Sequence, residues 1–161
     1  MKQKSPWILL ALTSALLVLS CSVEEADKAA SKDSVEATFS SLYNAELKNC
    51  GGANCHNRAA GRDDLDFSSK EKAYASIVGV ARSEYTDISE SNFACDAAIL
   101  VEPGQPNASL VAGALVEKIR DQFTVAGCTP NLTGHIELQA EISAAAQEAL
   151  IKWIENGAKN N

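Results

Sequence analysis

Cys50-Gly51-Gly52-Ala53-Asn54-Cys55-His56 is the segment of this chain best equipped for chemistry. Two nearby thiols with a histidine directly after the second can attach haem covalently. The thiols add to the vinyl groups, and the imidazole reaches the iron from one face. The common spacing is Cys-x-x-Cys-His; here four residues separate the cysteines. The same pair could instead close as a local disulfide, with His56 incidental and two glycines easing closure. Zinc held by Cys50, Cys55 and some of His56, His135, Cys95 and Cys128 is a third reading. An exported, oxidising setting disfavours the free thiolates it needs.

The chain has only two histidines, His56 and His135. If His56 takes one axial position on an iron, the other falls to Met, His or nothing. Met1 is the only methionine and lies in the N-terminal segment, so His135 is the candidate distal ligand. Two imidazoles give a low-spin centre, and His in place of Met lowers the potential. A vacant sixth position would instead suit a peroxidase-like or ligand-sensing site. No nucleophile–base pair or carboxylate dyad stands out, so enzymatic chemistry is not expected.

Several features place the chain outside the cytoplasm. Lys2 and Lys4 precede an apolar run of 13 residues, Trp7 to Leu19, too short to span a bilayer comfortably and typical of an export signal. Val18-Leu19-Ser20-Cys21 then resembles a bacterial lipoprotein signal, in which Cys21 is lipidated and becomes the new N-terminus. The alternative is a plain secretory signal with an incidental cysteine. Three segments result: a signal peptide over 1–20, a polar, Ala/Ser-rich tether over 21–32, and a domain over 33–161. The lipid would anchor the protein in the cell envelope, facing the periplasm. Ser22 after the anchor gives a weak preference for the outer membrane.

Loss of Lys2 and Lys4 takes the 14 basic residues to 12 against 21 acidic ones, a formal charge of −9. That balance argues against nucleic acid as a partner. Apart from Cys21, four cysteines remain, an even number in an exported chain. Cys95 and Cys128 are expected to form a disulfide worth about 3–4 kcal/mol in the chain-entropy model.

The elements that must position these residues read as helices joined by long loops. Asp33 and Glu36 suggest a capping-box start, and Phe39, Leu42, Tyr43 and Leu47 follow at helical spacing, ending near Asn49. Ser68-x-x-Glu71 opens a second helix bearing Tyr74, Ile77, Val78 and Ala81. After the Pro103-Gly104-Gln105-Pro106 turn, Asn107 starts a third, with Leu110, Val111, Ala114, Leu115 and Ile119 inward. A fourth runs over 143–156 with Gly157 as its C-cap and Ala146, Leu150, Trp153 and Ile154 as its buried stripe. No strand alternation or repeat appears, so the fold class is mostly α. Long loops in a small domain need a ligand or cross-links to order them.

The ordered set of segments resembles the small c-type cytochrome domains of bacterial envelope lipoproteins, related to the planctomycete cytochrome c family. Carrying the resemblance are Cys50…Cys55-His56, Leu65-Asp66-Phe67-Ser68 with Ala73-Tyr74, the stretch from Val101-Glu102-Pro103-Gly104 to Ser109-Leu110, and Trp153-Ile154-Glu155-Asn156-Gly157-Ala158. The resemblance implies a cytochrome c-like helical domain with one covalent haem c on Cys50, Cys55 and His56, passing single electrons to a redox partner protein. The family's Met-Pro pair falls close to His135, where this chain reads Thr133-Gly134-His135-Ile136. The widened cysteine spacing is a second departure. A haem-free member would be expected to turn the two cysteines into a disulfide, leaving a lipoprotein binding module. Tyr43, Tyr74 and Trp153 are expected to wall the haem pocket or, equally, to pack the core.

Overall fold

Phe39, Leu42 and Leu47, spaced along one helical face, are all buried, and so are Leu150, Trp153 and Ile154 near the other end of the chain. The computed structural model describes residues 34–52, 56–57, 65–85, 95–130 and 142–161. They belong to one unit, Asp33–Asn161. Cys21, Asp33, Cys55 and His135 lie outside the described residues, as do the expected signal and tether. The architecture is mostly α with loops: α1 (Phe39–Ala45), α2 (Lys70–Ile77), α3 (Leu110–Leu115), α4 (Glu117–Arg120) and α5 (Ala144–Glu155). Short 3-10 turns occupy Leu47–Gly51, Arg82–Glu84 and Pro106–Ala108. Among the described residues there are isolated β-bridges but no strand, and no helix is long and apolar enough to cross a membrane.

α5 forms as its sequence suggests. The Ser143 hydroxyl caps it by accepting from the Ala146 amide. Its far end is a Schellman turn: Gly157 donates to Ile154 and Ala158 to Trp153, both at 2.9 Å, with Gly157 at φ +90°. The buried stripe is wider than the four residues expected, adding Ala149 and Ile151.

The other helices depart from expectation for local reasons. α1 starts later, because Thr38 rather than Asp33 caps it, its hydroxyl accepting from the Ser41 amide at 3.2 Å. It also stops at Ala45, and the chain tightens into the 3-10 turn before reaching Asn49. At α2 the cap is Ser69 rather than Ser68: the Ser69 hydroxyl accepts from the Lys72 amide at 3.3 Å, while the Ser68 amide donates to the Asp66 carboxylate at 3.0 Å. The expected third helix is two: extended backbone at Val116 (φ −130°) ends α3 and starts α4, and Val116 itself is buried, while Val111 and Leu115 are only half-buried.

Asn107 does not cap that helix; the 3-10 turn Pro106–Ala108 precedes it. Ser109 is fully buried, and its hydroxyl accepts from the Glu102 amide and donates to the Gln105 carbonyl, each at 2.9 Å. The side chain thereby braces a type II turn with Pro103 at its second position and Gly104 at φ +80°. Gly104 in turn donates to the Ile154 carbonyl of α5 at 2.7 Å.

The segment 98–101 stitches the remaining loops together. Its main chain exchanges hydrogen bonds with residues 77–82 on one side and receives the amides of Leu110 and Val111 on the other. Cys95 and Cys128 form the expected disulfide, with Cα atoms 4.5 Å apart. Arg82, 7% exposed, donates to the Tyr85 carbonyl at 3.0 Å and lies 3.9 Å from Asp96.

Two stability measurements check this account. Replacing both Cys95 and Cys128 by Ser should lower the unfolding free energy by about 3–4 kcal/mol in a denaturant titration, given the 33-residue separation. Ser109→Ala removes the buried hydroxyl that serves the half-buried Glu102 amide and the Gln105 carbonyl, and should cost about 1–3 kcal/mol in the same assay.

Candidate functional site

α1 delivers the first thiol. Leu47 is buried at 3% exposure and anchors the 3-10 turn, so Cys50 emerges half-buried at its end. Glu46 sits at the junction and accepts from the Ser143 amide at 3.1 Å, tying the start of α5 to the start of this turn.

His56 returns to the same place. Its amide donates to the Cys50 carbonyl at 2.8 Å, and its carbonyl accepts from the Phe67 amide at 2.9 Å. Asn57 adds a bond from its side-chain amide to the Gly51 carbonyl at 3.2 Å. The segment from Cys50 to His56 is thus closed on itself and then fixed to the strip that leads into α2. Of the expected site residues, Cys50 and His56 meet through their main chains and Cys95 and Cys128 are bridged, while Cys21, Cys55 and His135 lie outside the described residues.

The Phe67 main chain is the hub of the site. Its amide donates to the His56 carbonyl, and its own carbonyl accepts from the Tyr43 hydroxyl at 3.0 Å. Its side chain, 6% exposed, lies against the His56 imidazole, with ring centroids 5.6 Å apart and planes inclined at 48°. Gly51 permits this approach: a Cβ there would stand 2.4 Å from the Phe67 carbonyl oxygen and 2.7 Å from its carbon. In the sequence Gly51 and Gly52 read as residues that ease closure of the cysteine pair. Neither has positive φ, so contact rather than left-handed geometry is what Gly51 supplies. Tyr43 reads in the sequence as one more residue of an apolar stripe, and nothing there marks its hydroxyl for Phe67.

Two ionisable groups border the hub. The Asp66 carboxyl is held below its ordinary 3.8 by the Ser68 hydroxyl and amide and then by Lys72, whose ammonium lies 3.2 Å away. The Tyr43 hydroxyl is pushed above 10.0 by burial first, then by the negative charges of Glu71 and Asp66. It therefore stays a protonated donor at neutral pH.

Of the rings expected to wall a pocket, Tyr74 and Trp153 belong to the core. Phe39 packs on both, with centroids at 5.2 and 5.1 Å. Tyr43 meets the same cluster through Phe39 at 6.3 Å while its hydroxyl serves Phe67. A separate open cleft of about 390 Å³ lies between residues 34–37 and α5; Glu148 and Lys152 supply its charged groups, and it holds neither thiol nor imidazole. No family model, curated protein or solved structure matches the chain.

The chemistry of the donor set, two thiols and an imidazole at positions 50, 55 and 56 with the main chains of Cys50 and His56 hydrogen-bonded, fits a covalently attached haem. Among the described residues no group of three or more metal-donating side chains gathers.

The pKa shifts set the pH response. Asp66 is more acidic folded than unfolded, so its contribution is present above 3.8 and lost as pH falls through its folded value. Tyr43 is less acidic folded, so its contribution holds below 10.0 and fades as pH rises through its folded value. Unfolding midpoints measured against pH should fall at both extremes, with Asp66→Asn flattening the acid limb and Tyr43→Phe the alkaline one.

Proposed function

We propose that this chain is a haem c-binding electron-transfer lipoprotein of the bacterial envelope, carrying one haem. The observation that carries the reading is the closed segment in which the His56 amide bonds to the Cys50 carbonyl at 2.8 Å. It returns the main chain at His56 to that at Cys50, the two positions that would supply the proximal imidazole and the first thioether. Cys50 and Cys55 would hold the group by thioethers, with His56 as the proximal ligand and His135 as the distal one. When bound, the haem supplies a one-electron centre. The chain's own part is orientation: the Phe67 hub fixes His56, and the Phe67 side chain covers one flank of the imidazole. Cys21 would carry the lipid, and membrane attachment would raise the local concentration of a redox partner protein.

A second reading is a haem-free, disulfide-stabilised binding module. It is favoured by the same closure, which brings the ends of the segment together and suits a Cys50–Cys55 bridge, and by the Cys95–Cys128 disulfide that the fold already forms.

Expression of the full chain with a c-type haem maturation system, followed by denaturation, decides between them. The cytochrome reading expects haem retained on the denatured polypeptide. A colourless chain with two intramolecular disulfides would reverse it in favour of the binding module. In the loaded protein, His135→Ala should convert the reduced low-spin spectrum to a high-spin one; an unchanged spectrum removes His135 from the iron.

A further inference from the structure

We propose that Tyr43 is a positioning residue for the His56 ligand, acting through the main chain of Phe67. The inference rests on the haem reading and names the group that orients its proximal imidazole. The Tyr43 hydroxyl donates to the Phe67 carbonyl at 3.0 Å, and the Phe67 amide donates to the His56 carbonyl at 2.9 Å. One residue thus takes Tyr43 on its carbonyl and His56 on its amide, while its ring lies 5.6 Å from the imidazole. If the Phe67 peptide shifts, both the backbone and the ring that set the imidazole shift with it.

Tyr43 is itself held firmly enough to act as a reference point. Its helix is anchored by buried Phe39 and Leu42, and its ring contacts Phe39. Phe39 is packed against Trp153 and Tyr74. The hydroxyl therefore transmits the position of the aromatic core to the strip carrying Phe67. Gly51 acts on the same strip from the opposite constraint. The atoms its Cβ would strike are main-chain atoms of Phe67, with the Ser68 nitrogen at 3.2 Å, so no side-chain rotation can relieve the contact. Hydrogen-bonded partners that orient a metal's ligand commonly tune the centre without touching the metal.

Tyr43→Phe keeps the ring and removes only the donor. The full chain is loaded with covalent haem and studied in the ferric state, reading the low-spin electron-spin g-values and the spread of the haem-methyl proton shifts. Both depend on the orientation of the axial imidazole plane. Tyr43→Phe should retain the wild-type content of covalent haem while shifting the g-values and the methyl spread. Gly51→Ala should move the same signals. Tyr85→Phe removes a tyrosine hydroxyl that donates to the Ser76 carbonyl and should leave them in place, so a general loosening of the fold is distinguished from a local effect. Wild-type signals in Tyr43→Phe would overturn the positioning role while leaving the cytochrome reading intact. So would equal shifts in Tyr43→Phe and Tyr85→Phe. A wild-type chain that retains no haem would overturn both. If Gly51→Ala does not fold, Tyr43→Phe still decides.

Discussion

The packing of Phe39 between Trp153 and Tyr74 is the contact on which the described structure depends. It joins α1, α2 and α5, with centroids at 5.1 and 5.2 Å, and Phe39 is fully buried. Rings at such distances add a geometric preference to the area they bury. The polar edges of the cluster are satisfied by one short stretch of chain. Trp153 donates from its indole nitrogen to Lys159, and Tyr74 donates to Ala158, both at 2.8 Å. The Schellman turn at Gly157 bends the chain so that those carbonyls are available. Asn161 then reaches the start of α1, accepting the Phe39 amide on its side chain and the Ser40 amide on its main chain.

With α1 fixed in this way, the candidate site is built outward from it. The helix ends at Ala45, the 3-10 turn carries Cys50 onward, and Tyr43 reaches back to Phe67. The rest of the unit is held by different means. Residues 98–101 act as a main-chain spine without becoming a strand, because their bridges stay isolated and change sense: Val78 pairs parallel to Val101, while Ala81 pairs antiparallel to Ile99. Ser109 and the Cys95–Cys128 bridge secure the loops around that spine. A small domain with this much irregular chain needs such fastenings, since loops carry ordering entropy without a regular ladder to offset it.

Legibility in the sequence follows how local the deciding contact is. α5 could be read almost to the residue, because Ser143, the apolar stripe and Gly157 all act within a few positions of the helix. The two serines at 68 and 69 could not be told apart as caps, since either hydroxyl could accept from the first turn and only the folded chain gives the Lys72 amide to Ser69. The break at Val116 was hidden because a buried valine continues the apolar pattern whether or not the helix continues. Ser109 looked like an ordinary residue beside a turn; its burial and its bonds to Glu102 and Gln105 belong to the folded neighbourhood. In the candidate site the thiols and the imidazole were plain from the sequence, but their support by Tyr43, Phe67 and Asn57 was not.

The sequence by itself determined the mostly helical class, an even set of cysteines outside Cys21 from which a Cys95–Cys128 bridge can be drawn, and the thiols and imidazole carried at Cys50, Cys55 and His56. These follow from residue type, periodicity and parity, which need no knowledge of distant neighbours. Only the tertiary structure decided that Phe67 is the hub at which His56, Gly51 and Tyr43 meet. Tyr43 stands 24 positions before Phe67, and a hydroxyl finds a carbonyl across that interval only once α1 and the approach to α2 are packed together. Gly51 shows the same limit. As a sequence feature it announces flexibility, and in the fold its missing side chain is what lets two stretches of backbone touch.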